Sequence, residues 1–323
     1  MISFCVTVPR MPQPISRSIR ACLGLLLLLV LAGCDRSGAG AVGSTSSTGA
    51  RPKFEVVAAE NFWGSIASQL AGSKANVQSI IVNPNTDPHS YQPTAQDART
   101  IADANMAIVN GVGYDDWAQQ LLQASPSSGR VTLNVGDLLE LEQGANPHRW
   151  YFPNDVHAVI GAIVAGYDRL DPADAVYFAQ RKRSLETDDL ARYEMLLHEI
   201  RARYAGVSVG YSESIFQGLG EYVGLKLKTP YSFAKAIAEG TDVTAQDKQT
   251  VDMQAQDRQI AVWVFNSQNV TPDVQRVNQI VRERHIPTVT ITETLAPASA
   301  SFEQWQDGEL ERLLQALHEA TGR

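Results

Sequence analysis

The stretch ADAVYFAQRKRSLETDDLARYEMLLHEIRAR (residues 173–203) holds neither Gly nor Pro and is dense in charge, a composition that favours one long helix. Asp171-Pro172 ahead of it supplies a start, with Asp near the cap and Pro in the first turn. At 1.5 Å per residue such a helix spans roughly 45 Å, longer than a crossover inside one small sheet needs. It reads as a strut, and the sequence on either side of it divides into two halves.

Both halves alternate in the same way. Before the strut, Val- and Ile-rich runs lie at 54–59 (FEVVAA), 77–82 (VQSIIV), 106–110 (MAIVN) and 131–135 (VTLNV), separated by helical patterns at 63–70, 95–102 and 116–123. After it come VSVGY (207–211), IAVWVF (260–265) and TVTI (288–291), with helices expected at 215–222, 273–284 and 302–320. Strands alternating with helices predict an α/β fold of two lobes, each a mainly parallel sheet flanked by helices, joined by one long rigid helix. The expected boundaries are an N-terminal lobe at 54–170, the linking helix at 171–203 and a C-terminal lobe at 204–323. In open α/β sheets ligands bind beyond the carboxyl ends of strands, so the loops that follow strands are where function is sought.

Residues 1–33 read as a lipoprotein signal peptide: Arg10, Arg17 and Arg20, an apolar run at 23–31, then Leu31-Ala32-Gly33-Cys34. The apolar run is about half the roughly 20 residues a membrane span requires. Cleavage before Cys34 and acylation of its thiol would anchor the protein outside the cytoplasmic membrane, and Met11 is an alternative start. Residues 34–53, almost purely Gly, Ser, Thr and Ala, form a flexible tether with a reach on the order of 20–25 Å. Cys5 and Cys22 fall inside the signal, so Cys34 has no disulfide partner. A formal net charge of −8 argues against nucleic acid, which rewards clustered Lys and Arg.

Two of the six histidines sit in matching contexts, Asp87-Pro88-His89 and Asn146-Pro147-His148. In each, Pro restricts the backbone and presents the imidazole at little entropic cost. Two carboxylates follow strands of the second half: Glu213 after VSVGY and Glu293 after TVTI. Either alone serves equally well as a helix-capping acid. The four residues are roughly sixty to eighty positions apart, far from the compact ligand spacing of structural zinc sites. A metal site made from them has to be assembled across the two lobes.

At these residues the chain resembles the cluster A-I substrate-binding proteins of ABC transporters for zinc and manganese, which are often lipoproteins. The resemblance rests on VVAAENFWGSIASQLAG (56–72), DPHSYQPT (87–94), NGVGYDDW (110–117), NPHRWYFP (146–153), SESIFQGLGEYVGL (212–225) and TITETLAP (290–297), in the family's order. It implies two α/β lobes joined by a rigid helix, with the metal between them held by His89, His148, Glu213 and Glu293. It also implies capture of Zn²⁺ or Mn²⁺ as the transported ligand and delivery to an ABC permease. The protein would act as a lipid-anchored monomer that is not an enzyme.

Two departures bear on the metal. Residues 93–146 contain none of the His-rich loop of many zinc carriers, and Glu213 stands where many of those have His. Oxygen ligands suit manganese and imidazole suits zinc, while the Irving–Williams order still places zinc above manganese.

His157 is the one spare ligand candidate; His198, His285 and His318 read as surface or capping residues, and Tyr91, Trp150, Asn266 and Gln268 read equally as residues lining the cleft and orienting the ligands or as ordinary packing and solvated-loop residues. Two other readings are a zinc-dependent hydrolase and a binder of an organic or chelated-metal ligand. Against the first, the chain has no HExxH.

Overall fold

Among the residues described by the structure, a computed structural model covering 52–86 and 88–323, eight strands form, seven where the Val- and Ile-rich runs lie or close beside them and one, Lys226–Leu227, where no strand is expected. The signal, Cys34 and the tether up to residue 51 lie outside the described residues. The first sheet contains β1 (Phe54–Glu60), β2 (Ala75–Ile81), β3 (Met106–Val109) and β4 (Val131–Asn134). The second contains β5 (Ser208–Tyr211), β6 (Lys226–Leu227), β7 (Val262–Asn266) and β8 (Thr288–Ile291).

All pairings are parallel, and the strand orders are β2-β1-β3-β4 and β6-β5-β7-β8. The two sheets thus share one topology. In each, the chain steps to one side of the first strand and then returns to the other, so a switch point opens between β1 and β3 and again between β5 and β7. Crevices of this kind at the carboxyl ends of strands are where α/β proteins bind ligands.

Alternation along β1 sends Val56 and Ala58 into one core cluster and Val57 and Ala59 into another, as a strand covered on both faces requires. The helices that cover the first sheet are α1 (Asn61–Ala71), α2 (Ala95–Asp103), α3 (Asp116–Ala124), α4 (Val135–Leu138) and α5 (Pro153–Leu170). Gly64 of α1 is needed for this packing, because a Cβ there would lie 1.9 Å from Ser79 Oγ on β2.

The expected linking helix is present but not uniform. It runs as α6 (Ala175–Ser184), a π-helical segment (Leu185–Asp189) and α7 (Ala191–Tyr204). The cause lies in the sequence LETDDL: Leu185 and Leu190 are both buried, yet residues five apart diverge by about 140° on an ideal α-helix. The wider turn, closed by Leu190 N–H donating to Leu185 O at 2.9 Å, brings both to the core side. The run is also packed rather than free: α6 lies against α1 and α5, and α7 against the last helix, α12 (Phe302–Thr321).

Between α7 and α12 the chain adds α8 (Gln217–Tyr222), α9 (Tyr231–Ala238), α10 (Ala245–Gln256) and α11 (Pro272–Glu283). Side-chain caps fix several of the starts: Thr94 and Ser301 form capping boxes with Asp97 and Gln304, and Thr244 and Thr271 accept from backbone N–H three residues on. One buried apolar cluster takes in Val56, Ala58, Met106 and Ile108 of the first sheet together with Val209, Val262, Val264, Val289 and Ile291 of the second. The two sheets therefore share a core.

Candidate metal centre

His148, Glu213 and Glu293 converge, each offering a ligand atom within 4.8 Å of the others. All three are buried, with exposures of 0, 1 and 5 % respectively. Glu213 lies two residues beyond β5 and Glu293 two beyond β8, at the carboxyl edge of the second sheet. His148 precedes the 3-10 turn Arg149–Tyr151 that leads into α5. His89 sits in the 3-10 turn Pro88–Ser90 after β2, and its side chain lies outside the described residues.

Asn146 fixes the tautomer of His148. Its Oδ1 accepts from His148 N–H at 3.1 Å, while its Nδ2 donates to Ser214 O at 2.7 Å, so the amide has only one consistent orientation. The Nδ1 of His148, 2.8 Å from the same Oδ1, must then carry a proton. In the neutral ring the lone pair is on Nε2, which lies 3.6 Å from Glu213 Oε1. A lone pair and a carboxylate oxygen at that separation form a natural seat for a cation, and a second hydrogen bond that fixes ring and tautomer is the usual support of a metal-binding histidine.

Asn266, at the end of β7, holds the two carboxylates. Its Nδ2 donates to Glu213 Oε2 and Glu293 Oε1, both at 2.9 Å. Tyr114 O–H donates to Glu293 Oε2 at 2.9 Å from the loop after β3. Burial first, then the charges of Glu293, Glu60 and Glu213, hold the Tyr114 hydroxyl well above its usual range, so it remains a donor. Gln268 accepts from the backbone N–H of Glu293 at 2.6 Å and of Thr294 at 3.2 Å. The geometry thus joins the crevice of each sheet at one point.

A second layer braces these loops. Trp150 stands edge-on to the His148 ring at 5.4 Å and stacks on Phe62 at 3.8 Å. Asn110 donates to Pro147 O at 2.8 Å and accepts from Trp63 Nε1 at 3.1 Å, while Asp115 accepts from the N–H groups of Asn110 and Gly111. Burial pushes the Asp115 carboxyl up to about 6. Glu60, wholly buried at the end of β1, is held well above the usual carboxylate range by burial and by Asp115. Glu309 of α12 accepts from Tyr151 O–H, from Thr292 N–H at 2.9 Å and from Trp305 Nε1 at 3.0 Å. It couples the turn after His148 to the residue before Glu293.

Of the cleft residues expected from sequence, Trp150, Asn266 and Gln268 are at the site. Tyr91 is elsewhere, donating to Asp97 at 2.9 Å and packing edge-on to Trp117. His157 does not join the cluster: it pairs with Glu194 at 2.9 Å, bridging α5 and α7, and Glu194 raises its pKa. His198, His285 and His318 are exposed. Sequence reasoning missed Tyr114, Asn146 and Glu309. The first two lie inside motifs already singled out, but an acidic residue on an amphipathic helix such as α12 carries no signal.

The model of the family described as "Zinc-uptake complex component A periplasmic" matches residues 56–316. The manganese-binding lipoprotein MntA of Halalkalibacterium halodurans is 25 % identical over 279 residues, covering 84 % of this chain and 79 % of its own length. The iron-binding protein YfeA of Yersinia pestis is 24 % identical over 258 residues, covering 77 % and 72 %. The fold is shared with the periplasmic zinc binding protein TroA from Treponema pallidum, with a TM-score of 0.69 at 17 % identity over 83 % of this chain and 99 % of that one. It is shared equally with the Mn-bound periplasmic metal binding protein from Candidatus Liberibacter asiaticus, at a TM-score of 0.68 and 18 % identity over 82 % and 100 %.

Proposed function

We propose, from the premise that this chain belongs to the family of periplasmic component A of zinc-uptake complexes, that His89, His148, Glu213 and Glu293 bind one divalent cation for import. The protein is the extracytoplasmic substrate-binding component of a metal ABC transporter, handing its ion to a membrane permease. Acylation of Cys34 tethers it to the membrane, and it works as a monomer and a carrier rather than as an enzyme.

The observation that carries this reading is the buried convergence of His148, Glu213 and Glu293 around support from Asn146, Asn266 and Tyr114. Burying two carboxylates costs several kcal/mol each unless charge compensates them, and a divalent cation supplies that charge.

Two imidazoles with two carboxylates suit Mn²⁺ in ligand hardness, whereas Zn²⁺ binds the same atoms more tightly in isolation. Transport of either ion is consistent with this donor set, and competition between the two under matched conditions ranks them. The test of the reading is metal analysis and calorimetric titration of the purified protein. Wild type holds one equivalent of Zn²⁺ or Mn²⁺, and His148→Ala and Glu213→Gln each weaken binding at least tenfold while keeping the far-UV spectrum. An absence of stoichiometric metal in the wild type overturns it.

A further inference from the structure

A cavity of about 410 Å³ opens beside the metal centre, bounded by Pro84, Asn85 and Thr86 from the first half, by Glu239 and Asn269 from the second, and by Glu293 and Gln268. It is much larger than a bare ion. At about 30 Å³ per water it holds roughly a dozen molecules, enough for a fully hydrated cation, and its lining is rich in oxygen and amide groups.

Gln268 is the residue shared by this cavity and the ligand set. Its Oε1 takes the N–H groups of Glu293 and Thr294, and its Nε2 donates to Thr294 Oγ1 at 3.0 Å and to Pro84 O. All the hydrogen-bonding capacity of the amide is therefore used. One end fixes the backbone of Glu293, and the other reaches the loop that follows β2 in the opposite half.

We infer that the ion enters and leaves through this cavity, and that Gln268 is a positioning residue that sets the exit rate by joining the Glu293 loop to Pro84 across the opening. The inference rests on the proposed metal-carrier function. Loss of the ion requires Glu293 to move away or the opposite loop to part from it, and Gln268 opposes both movements through one side chain.

Gln268→Glu separates the two jobs. A carboxylate still accepts from the N–H groups of Glu293 and Thr294 but cannot donate to the Pro84 carbonyl or to Thr294 Oγ1, and because its added negative charge by itself retains a cation, faster release reports the lost donor. Zn²⁺-loaded full-length protein is mixed with excess chromogenic chelator and the release is followed in time, with association measured separately. Gln268→Glu is expected to bind one equivalent of Zn²⁺ and release it about tenfold faster, with little change in association. Gln279→Ala, an exposed change on α11 outside the cavity wall, releases at the wild-type rate. Asn85→Trp, which narrows the mouth, slows association and release together and leaves affinity unchanged.

Release from Gln268→Glu within twofold of wild type overturns the inference, as do unchanged rates in Asn85→Trp. Loss of stoichiometric Zn²⁺ by Gln268→Glu alone also overturns it, since Gln268 would then be only a support for Glu293. Failure of the wild type to bind Zn²⁺ or Mn²⁺ is a separate result that removes the carrier function itself.

Discussion

Glu309 is a carboxylate with 1 % exposure, and it accepts hydrogen bonds from both sides of the proposed metal centre. Burial pushes its carboxyl from an ordinary 4.5 up to about 7, against the opposing pull of Tyr151, Arg312 and Thr292. A folded-state pKa above the unfolded value means the folded chain holds that proton more tightly. The contribution to stability is full below about pH 4.5 and is lost as pH rises through about 7. The metal-free protein should therefore lose stability across that window, by on the order of 3 kcal/mol from this group. Thermal melts of metal-free Glu309→Gln, which keeps the shape without the titration, should show a flatter dependence on pH. An unchanged slope would assign the pH dependence to other groups such as Asp115, pushed up to about 6.

At the scale of elements, α8 meets the first half through a glycine. A Cβ on Gly218 would lie 2.4 Å from Cδ2 of Phe152, the residue that closes the turn after His148 and carries Arg149 on its ring face at 3.5 Å. Gly218→Ala should thus force Phe152 aside, with a stability cost of about 1–3 kcal/mol and weaker metal binding. Denaturant unfolding and titration of the same variant measure both, and a neutral variant would show that the ring yields freely. Seven of the eight strands, the long helix and the position of Glu213 and Glu293 just beyond strands were legible in the sequence, because Val- and Ile-rich runs and their bounding loops are local patterns. Residues 223–259 were not. β6 has two residues, too few for a period, and α10 buries only Val251, Gln254 and Ala255, leaving scarcely any apolar stripe to read. The π segment was hidden for a related reason, since it follows from where Leu185 and Leu190 must both point once the core exists. The link between Asn146 and Ser214, sixty-eight residues apart, is likewise a product of folding.

For the molecule as a whole, the shared apolar core joining both sheets argues against two independently stable lobes. The metal-free chain should unfold in one transition, with tryptophan fluorescence reporting the first half through Trp63 and Trp150 and the second through Trp263 and Trp305, coincident with far-UV circular dichroism. Two separated transitions would show that the lobes hold together more weakly than the core implies. A continuous core and a long packed helix also leave room only for small shifts between the halves, in which interfaces repack without a wide hinge.

The matching strand order of the two sheets has a mechanical consequence. Each half sets an asparagine at the carboxyl end of the strand beside its switch point: Asn110 after β3 holds peptide groups, and Asn266 on β7 holds carboxylates. The proposed imidazole ligands come from before the long helix and the acidic ligands from after it. Neither half alone carries a complete donor set, and an ion bound to both acts as a rivet through the seam. Loaded and empty molecules would then differ chiefly in stiffness, and a transporter could sense cargo by how readily the two halves yield when it pulls on them.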